Sequence, residues 1–382
     1  VCKHVGKVSE DGLCPLCSKI QKLSNNVLYS DFFSVVLEGE ADGLPLPGGY
    51  LLLADDEKTL SKRMEKDSYF VRVYAKNQMY TGKHIATKLW VGDYTTGDTF
   101  EKFAQKAEGI KRIGVLRADV DNLGQTFVAG FAGKYATLSR TAALSRQLSI
   151  FFKYYIRSIL KNGEYHIDGE KKLTERNATI VYSGGDDVFI VGAWNEVIEL
   201  SIDLQEKFKK YTQGTLSISS GIGIYECTYP IGAIANETGE MEAESKRMPE
   251  KDSVTLMDDG ETHLINELEI CDGTYRWEEL YKSVLGEKYD VIQDFLGESD
   301  ERGMSFLYRM LELIRNQKEK INFARFVYLL SRLEPDKEGE KKEKYRKFSR
   351  KMYQWVQSEK DCRELKTAIN LYAYMHREKG AH

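Results

Sequence analysis

Two pairs of aspartates stand where metal-ion chemistry could be done. Asp186 and Asp187 follow Tyr182-Ser183-Gly184-Gly185 and precede Val188-Phe189. The flanks, Ala178-Thr179-Ile180-Val181-Tyr182 and Val188-Phe189-Ile190-Val191-Gly192, are short and β-branched and read as buried strands. The glycine-rich link between them predicts a β-hairpin with both acids at or just past its tip. Adjacent carboxylates repel unless a cation lies between or beside them, and a divalent ion is the simplest candidate. Asp119 and Asp121 end a second strand, Ile113-Gly114-Val115-Leu116-Arg117-Ala118-Asp119-Val120-Asp121. Alternation along a strand points both to one side. A sheet that sets this strand beside the hairpin brings up to four carboxylates to one edge. That suits two Mg or Mn ions, which hold a triphosphate and activate a hydroxyl for in-line attack. Gly-Gly-Asp-Asp alone is better explained as an ordinary polar turn; the upstream Asp-x-Asp strand, with a helix between, shifts the weight to a metal site.

The elements that must position these residues follow from periodicity. Leu144, Leu148, Phe151, Tyr155 and Ile159 share one helical face, and Asn162-Gly163 supplies a stop. Residues 161–177 are polar and read as a loop before the hairpin. A second helix carries Val197, Leu200, Leu204, Phe208 and Tyr211 and ends at Gln213-Gly214. The strand Leu216–Ile224, a third helix over 231–247 and the strand Ser253–Met257 complete the domain. The order β-α-β-β-α-β with an added α-β is the ferredoxin-like, α+β pattern on which nucleotide-polymerising palms are built, and it makes the first strand and the hairpin neighbours. Lys246 and Arg247 end the third helix, in reach of a β- or γ-phosphate. Favourable placement at a helix C-terminus explains them almost as well. Ser183, Ser219 and Ser220 lie on strands near the site as candidate partners for a base or phosphate, though ordinary strand positions account for them equally.

The chain has 382 residues, enough for two or three domains, and no run of eighteen apolar residues that would span a membrane. A net charge of −4 does not single out nucleic acid as partner but leaves room for a local basic face. Of six cysteines, Cys2, Cys14 and Cys17 cluster at the start, which is metal-ligand usage in a reducing compartment rather than a disulfide framework. Cys14-Pro15-Leu16-Cys17 is a knuckle that points two thiolates at one ion. With Cys2, it needs one more ligand for a structural zinc, either His4 or a cysteine just before Val1. Four segments are expected: a zinc element (1–22), a β-rich connecting module (23–110), the palm (111–260) and a helical C-terminal bundle (261–382). In the last, Phe306, Leu307, Met310, Leu311 and Ile314 form one apolar stripe, Phe348, Met352, Trp355 and Val356 another, and Leu365, Ala368, Ile369 and Tyr372 a third. The basic run from Lys341 to Lys351 reads as a solvated helix face ahead of an RNA contact. The start at Val1, without Met and inside a cysteine motif, leads us to expect a fragment.

Cys14-Pro15-Leu16-Cys17, Leu89-Trp90-Val91-Gly92-Asp93-Tyr94, Leu116-Arg117-Ala118-Asp119-Val120-Asp121-Asn122-Leu123-Gly124 and Ser183-Gly184-Gly185-Asp186-Asp187 occur here in one order. In that order the chain resembles the large palm-domain subunit of type III CRISPR effector complexes, of the Csm kind. The resemblance implies synthesis of cyclic oligoadenylates from ATP when target RNA pairs with guide RNA, within a cytoplasmic, membrane-free assembly of further Csm-type subunits. It implies that Asp186 and Asp187 carry the cyclase metals and that Asp119 is the upstream strand carboxylate; Ser183, Gly184, Gly185 and Lys246 are the candidate nucleotide-binding residues. It also implies that an HD nuclease domain and a first palm precede the matching region. No His-Asp dipeptide occurs in this sequence, so single-stranded DNA cleavage is not expected of it. A diguanylate cyclase shares the palm, but its signature has Glu where Asp187 stands, and its guanine-reading Asn corresponds to Phe127, whose ring offers guanine no hydrogen bond. A palm of this kind could also serve a template-directed polymerase, although no segment resembles fingers or thumb, or a catalytically inactive structural subunit, although the expected carboxylates are all present.

Overall fold

The computed structural model describes residues 6–27, 29–37, 42–66, 69–257, 260–297, 302–315, 320–336 and 338–377. Two units emerge, residues 1–95 with 149–157, and residues 96–148 with 158–382. The palm and the C-terminal helices thus share one unit, and the cysteine knuckle and the β-rich module share the other.

In the first unit, helix α1 (Pro15–Val27) precedes strands β1 (Phe32–Leu37), β2 (Leu44–Leu46) and β3 (Tyr50–Asp55), helix α2 (Glu57–Lys66), and strands β4 (Phe70–Lys76) and β5 (Thr87–Leu89). The strands form one sheet in the order β2-β3-β1-β4-β5. Five strands and two helices thus make up this region. Helix α2 escapes periodicity because its buried face is only Leu60 and Met64, which pack on Phe32, Val73 and Ala75 of the sheet.

In the second unit, α3 (Phe100–Lys106) leads into β6 (Ile113–Val120), α4 (Leu123–Ala129) and α5 (Leu138–Ile150) as far as Leu148; the stretch 149–157, with a π-turn (Phe151–Tyr155), falls in the first unit, and α6 (Ile156–Lys161) belongs to the second from Ser158. The hairpin β7 (Ala178–Ser183) and β8 (Asp187–Ala193) follows, then α7 (Trp194–Tyr211), β9 (Ile218–Tyr225), α8 (Ile231–Ser245) and β10 (Ser253–Leu256). The sheet runs β13-β10-β9-β6-β8-β7, where β13 is Thr274–Arg276. Its β9-β6-β8-β7 portion is antiparallel and has the ferredoxin-like order, so β6 lies between the hairpin and β9 as the sequence predicts. Helices cover both faces. At Gly114 of β6 an added Cβ would meet Trp194 and Val197 of α7, whereas on the opposite face an added Cβ at Gly221 would meet the backbone of Thr238 and Glu242 in α8 at 2.5 Å. Glycine at 221 is what lets α8 lie against the strand.

Residues 161–177 form no helix or strand past the end of α6, only the isolated bridge of Gly163 with Thr174, but this loop is tied down: Arg176 is 1% exposed and pairs with Glu199 and, at 2.9 Å, with Asp203, both on α7. The same two carboxylates accept backbone N–H groups from Glu164, Tyr165 and Ile167, which fastens the segment to the helix. Burial pushes Glu199 up to about 7 against the pull of Arg176. One expectation needs correction: the chain past residue 265 is not all helical. Strands β11 (Thr262–Ile265) and β12 (Leu268–Cys271) form a hairpin whose turn, Asn266-Glu267, has positive φ at both residues. The helices come after β13: a π-helical segment (Glu279–Tyr289) running into α9 (Asp290–Leu296), then α10 (Arg302–Arg315), α11 (Lys320–Ser331), α12 (Glu340–Trp355) and α13 (Glu359–His376). The basic run lies on α12, where Lys342, Arg346, Lys347 and Lys351 pair with Glu334, Glu338, Asp294 and Glu287, as a solvated face would. No helix among the described residues is long and apolar enough to cross a membrane.

Candidate active site

The site is built on three strand ends. In the β6–β8 ladder Asp119 stands directly opposite Asp187, and in the β6–β9 ladder it stands opposite Ser219. Residues directly opposed in antiparallel strands share a face, so Asp187, Asp119 and Ser219 form a row on the face that α8 covers. Asp186 lies in the three-residue hairpin connection. Its carbonyl accepts the N–H of Val120 at 3.2 Å, and the Gly184 N–H donates to the Asp187 carbonyl at 2.8 Å, which ties the tip to the end of β6.

Electrostatics report how close these acids are. Asp186 is held above the usual carboxylate range by burial, then by the charges of Asp119 and Asp187, with Lys246 opposing. Lys246, the residue that caps α8, sends its ammonium to the Asp119 carboxylate and to Glu242, at 2.9 Å from Glu242. Burial works to lower the Lys246 pKa, but the hydrogen bonds to Asp119 and Glu242 raise it. Lys246 is therefore more than a favourable helix-end charge.

Tyr182 joins the site through a register shift. The β7–β8 ladder slips between Ile180 and Tyr182, leaving Tyr182 opposite Phe189 and on the same face as Asp187. The charge of Asp187, then burial and a hydrogen bond to Asp187, raise the Tyr182 pKa. Gly184 lies beneath both groups: a Cβ there would run into Asp187 Oδ1 and the Tyr182 hydroxyl. Ser183 ends β7 opposite Val188, and Ser219 Oγ is fully buried with no hydrogen-bond partner.

Asp121 differs from the other three carboxylates. The strand ends at Val120, and Asn122 turns the chain with φ of 53°. Asp121 is 2% exposed, and its Oδ2 accepts Ser217 Oγ at 2.7 Å and the Asp252 N–H at 3.1 Å, while its Oδ1 is buried without a partner. Three carboxylates thus line the open edge and the fourth is clamped behind it.

The donor set fits a divalent cation: hard carboxylate oxygens, mutually repelling charges, and a buried oxygen on Asp121 without a partner. Among the described residues no three acidic, histidine or cysteine side chains are drawn together tightly enough to hold an ion as they stand. The Lys246 ammonium takes a cation's place on Asp119.

At the other end of the chain, Cys14 and Cys17 are buried, and the Cys17 N–H donates to Cys14 Sγ at 3.4 Å. Cys2 and His4, the remaining candidate zinc ligands, lie outside the described residues. Sequence reading missed Tyr182, which only the register shift brings to this face, and Glu242. Glu242 had a visible signal, since it lies four residues before Lys246 on one helix face.

Comparisons with known proteins converge on one group. Residues 112–255 match the second palm domain of Cas10/Cmr2, and residues 293–378 match the second helical domain of the Cmr2 subunit of the CRISPR RNA silencing complex. Together these cover more than half of the chain. The sequence is 40% identical over 392 residues to the CRISPR system single-strand-specific deoxyribonuclease Cas10/Csm1 (subtype III-A) of Mycobacterium tuberculosis, covering 99% of this chain and 46% of that protein. It is 37% identical over 379 residues to the protein of the same description from Enterococcus italicus, covering 97% and 45%. The chain thus spans about half the length of the curated relatives it matches. Among solved structures, Csm1 of T. onnurineus superposes with a TM-score of 0.72 at 22% identity, covering 94% of this chain and 51% of that one. A Csm1–Csm4 cassette in complex with cA4 superposes at 0.68 and 21% identity, covering 94% and 50%. At these identities the superpositions establish the fold.

Proposed function

The chain belongs to the Cas10/Csm1 family of type III-A CRISPR systems, and on that premise we propose that its palm joins ATP molecules into cyclic oligoadenylates. The observation that carries the reading is the register of Asp119 directly opposite Asp187, with Asp186 and Lys246 at the same edge. Asp119, Asp186 and Asp187 would hold Mg or Mn, with Asp121, whose Oδ1 is buried without a partner, as a fourth candidate carboxylate. A bound divalent ion supplies charge neutralisation for the triphosphate and pyrophosphate and lowers the pKa of the attacking ribose 3′-hydroxyl. The chain's own groups do the positioning. Lys246 meets the β- or γ-phosphate, Gly184 and Gly185 leave room for the phosphates to approach the backbone, and Ser183 offers a hydroxyl at the end of β7. The Tyr182 phenol holds Asp187 in place, and α8 and Ser219 close the inner side of the edge.

The partners follow from the family. Neighbouring structures contain a Csm1–Csm4 subcomplex, and we propose that this chain works beside a Csm4-type subunit with guide and target RNA. The test is product formation from labelled ATP by the assembled complex with Mg or Mn. Target-dependent cyclic oligoadenylate, undiminished by excess GTP, is the expected result. RNA binding without product would leave the palm a structural element.

We also propose a structural zinc on Cys14 and Cys17 with Cys2 and His4. The buried knuckle and its N–H···S bond support it. Elemental analysis is expected to find about one zinc per chain, absent when Cys14 and Cys17 are both serine; full zinc in that variant would move the site elsewhere.

A further inference from the structure

Resting on the metal edge just described, we propose that Lys246 is a resident counter-ion that a divalent cation displaces from Asp119, and that Glu242 is the positioning residue that receives it. Lys246 has two carboxylate partners, Asp119 on the metal edge and Glu242 on its own helix. An ammonium on Asp119 Oδ2 competes with a divalent cation for the same carboxylate, because like charges that close repel in a half-buried site. Glu242 gives the displaced ammonium somewhere to stay. Its carboxylate is nearly buried and held on both oxygens: Oε1 lies 2.9 Å from Lys246 Nζ, and Oε2 lies 2.8 Å from Arg117 Nε.

The surroundings keep that carboxylate in place. Arg117 lies two residues before Asp119 on the same face of β6, and Gly239 of α8 leaves space for its guanidinium, since a Cβ there would lie 2.7 Å from Nη1. Lys246 is anchored at the end of α8 by its own N–H to the Glu242 carbonyl at 3.2 Å. Arg117, Glu242, Lys246 and Asp119 thus form a line of alternating charge that ends on the metal edge. Displaced by one carboxylate's width, the ammonium remains beside the edge, where an incoming phosphate needs a cation. Metal loading and phosphate readiness are then one event.

The experiment measures Mn²⁺ binding to the full chain without nucleotide, by the electron paramagnetic resonance signal of free Mn²⁺. An Asp186→Ala variant identifies the site. Lys246→Met removes the competitor and is expected to tighten Mn²⁺ about five- to tenfold. Glu242→Gln leaves Lys246 with Asp119 alone and is expected to weaken Mn²⁺ about threefold or more, an effect that falls below about twofold in the Lys246→Met background. Lys251→Gln is the charge control, because Lys251 bonds the Asn122 amide oxygen and no carboxylate; it is expected to change affinity by less than about twofold. Equal tightening by Lys246→Met and Lys251→Gln, or an undiminished Glu242→Gln effect without Lys246, would overturn the exchange and leave the metal site standing. Loss of all Asp186-dependent Mn²⁺ binding in the parent chain would overturn the metal edge itself, and the exchange with it.

Discussion

Asp186→Ala and Asp187→Ala are each expected to slow cyclic oligoadenylate formation about a thousandfold or more in the assembled complex, roughly 4 kcal/mol of transition-state stabilisation. The chemistry is phosphoryl transfer, in which the protein supplies position and charge and little else. Each acid contributes oxygens to the ion that neutralises the triphosphate, and Asp187 is the direct cross-strand partner of Asp119. Neither substitution should harm the fold. Burial and the charges of Asp119 and Asp187 hold Asp186 above its ordinary pKa, so in the ion-free fold its negative charge is unfavourable. Its removal should leave the melting temperature unchanged or slightly raised. Initial rates from labelled ATP, with thermal melts of the same preparations, check both halves. Activity within tenfold of the parent would place the chemistry elsewhere, and a large fall in melting temperature would mark the acids as structural.

Gly184→Ala is expected to cost about a hundredfold in rate, again with little loss of stability. The added methyl would meet Asp187 Oδ1 and the Tyr182 hydroxyl. Both atoms are the far ends of side chains on an exposed edge, so the fold accommodates the methyl by turning them aside. Displacement of the Asp187 carboxylate by even about 1 Å is what the rate would register. Tyr182→Phe separates the causes. It removes one of the two clashing atoms and, of the contacts that steady Asp187, only the single phenol hydrogen bond, so its own effect should be smaller than about tenfold. In combination with Gly184→Ala it should restore part of the lost rate. A Gly184→Ala variant at parental activity would show that the carboxylate tolerates movement. An unfolded one would show that the glycine serves the turn rather than the site.

The sequence alone determined the central architecture, because its signals are local. A β-branched strand ending in Asp-x-Asp, a glycine-rich hairpin with two acids and an intervening amphipathic helix each announce themselves within about ten residues. Their order leaves few topologies, and β9-β6-β8-β7 is the one observed. The pairing of Asp119 with the hairpin was legible in the same way, since neighbouring strands in that order must meet at one edge.

Tertiary structure decided what those carboxylates face. The alternation that groups Asp121 with Asp119 holds only while the strand continues. It ends at Val120, and Ser217 and Asp252, from two other segments, take one oxygen of Asp121. Tyr182 reaches the site only because β7 slips register at Val181, which depends on its pairing with β8. Arg176 looked like one more polar loop residue, yet it is buried, because Glu199 and Asp203 on α7 supply the opposite charges that make burial tolerable. Lys246 could be ranked from sequence only as a helix-end cation or a phosphate ligand. Its position between Asp119 and Glu242 depends on α8 lying against Gly221 of β9, a contact between elements separated by a turn of chain. Periodicity and composition specify which residues share a strand or a helix face. Which charge stands against which is set by packing between elements, and in this site that packing determines what each carboxylate is free to bind.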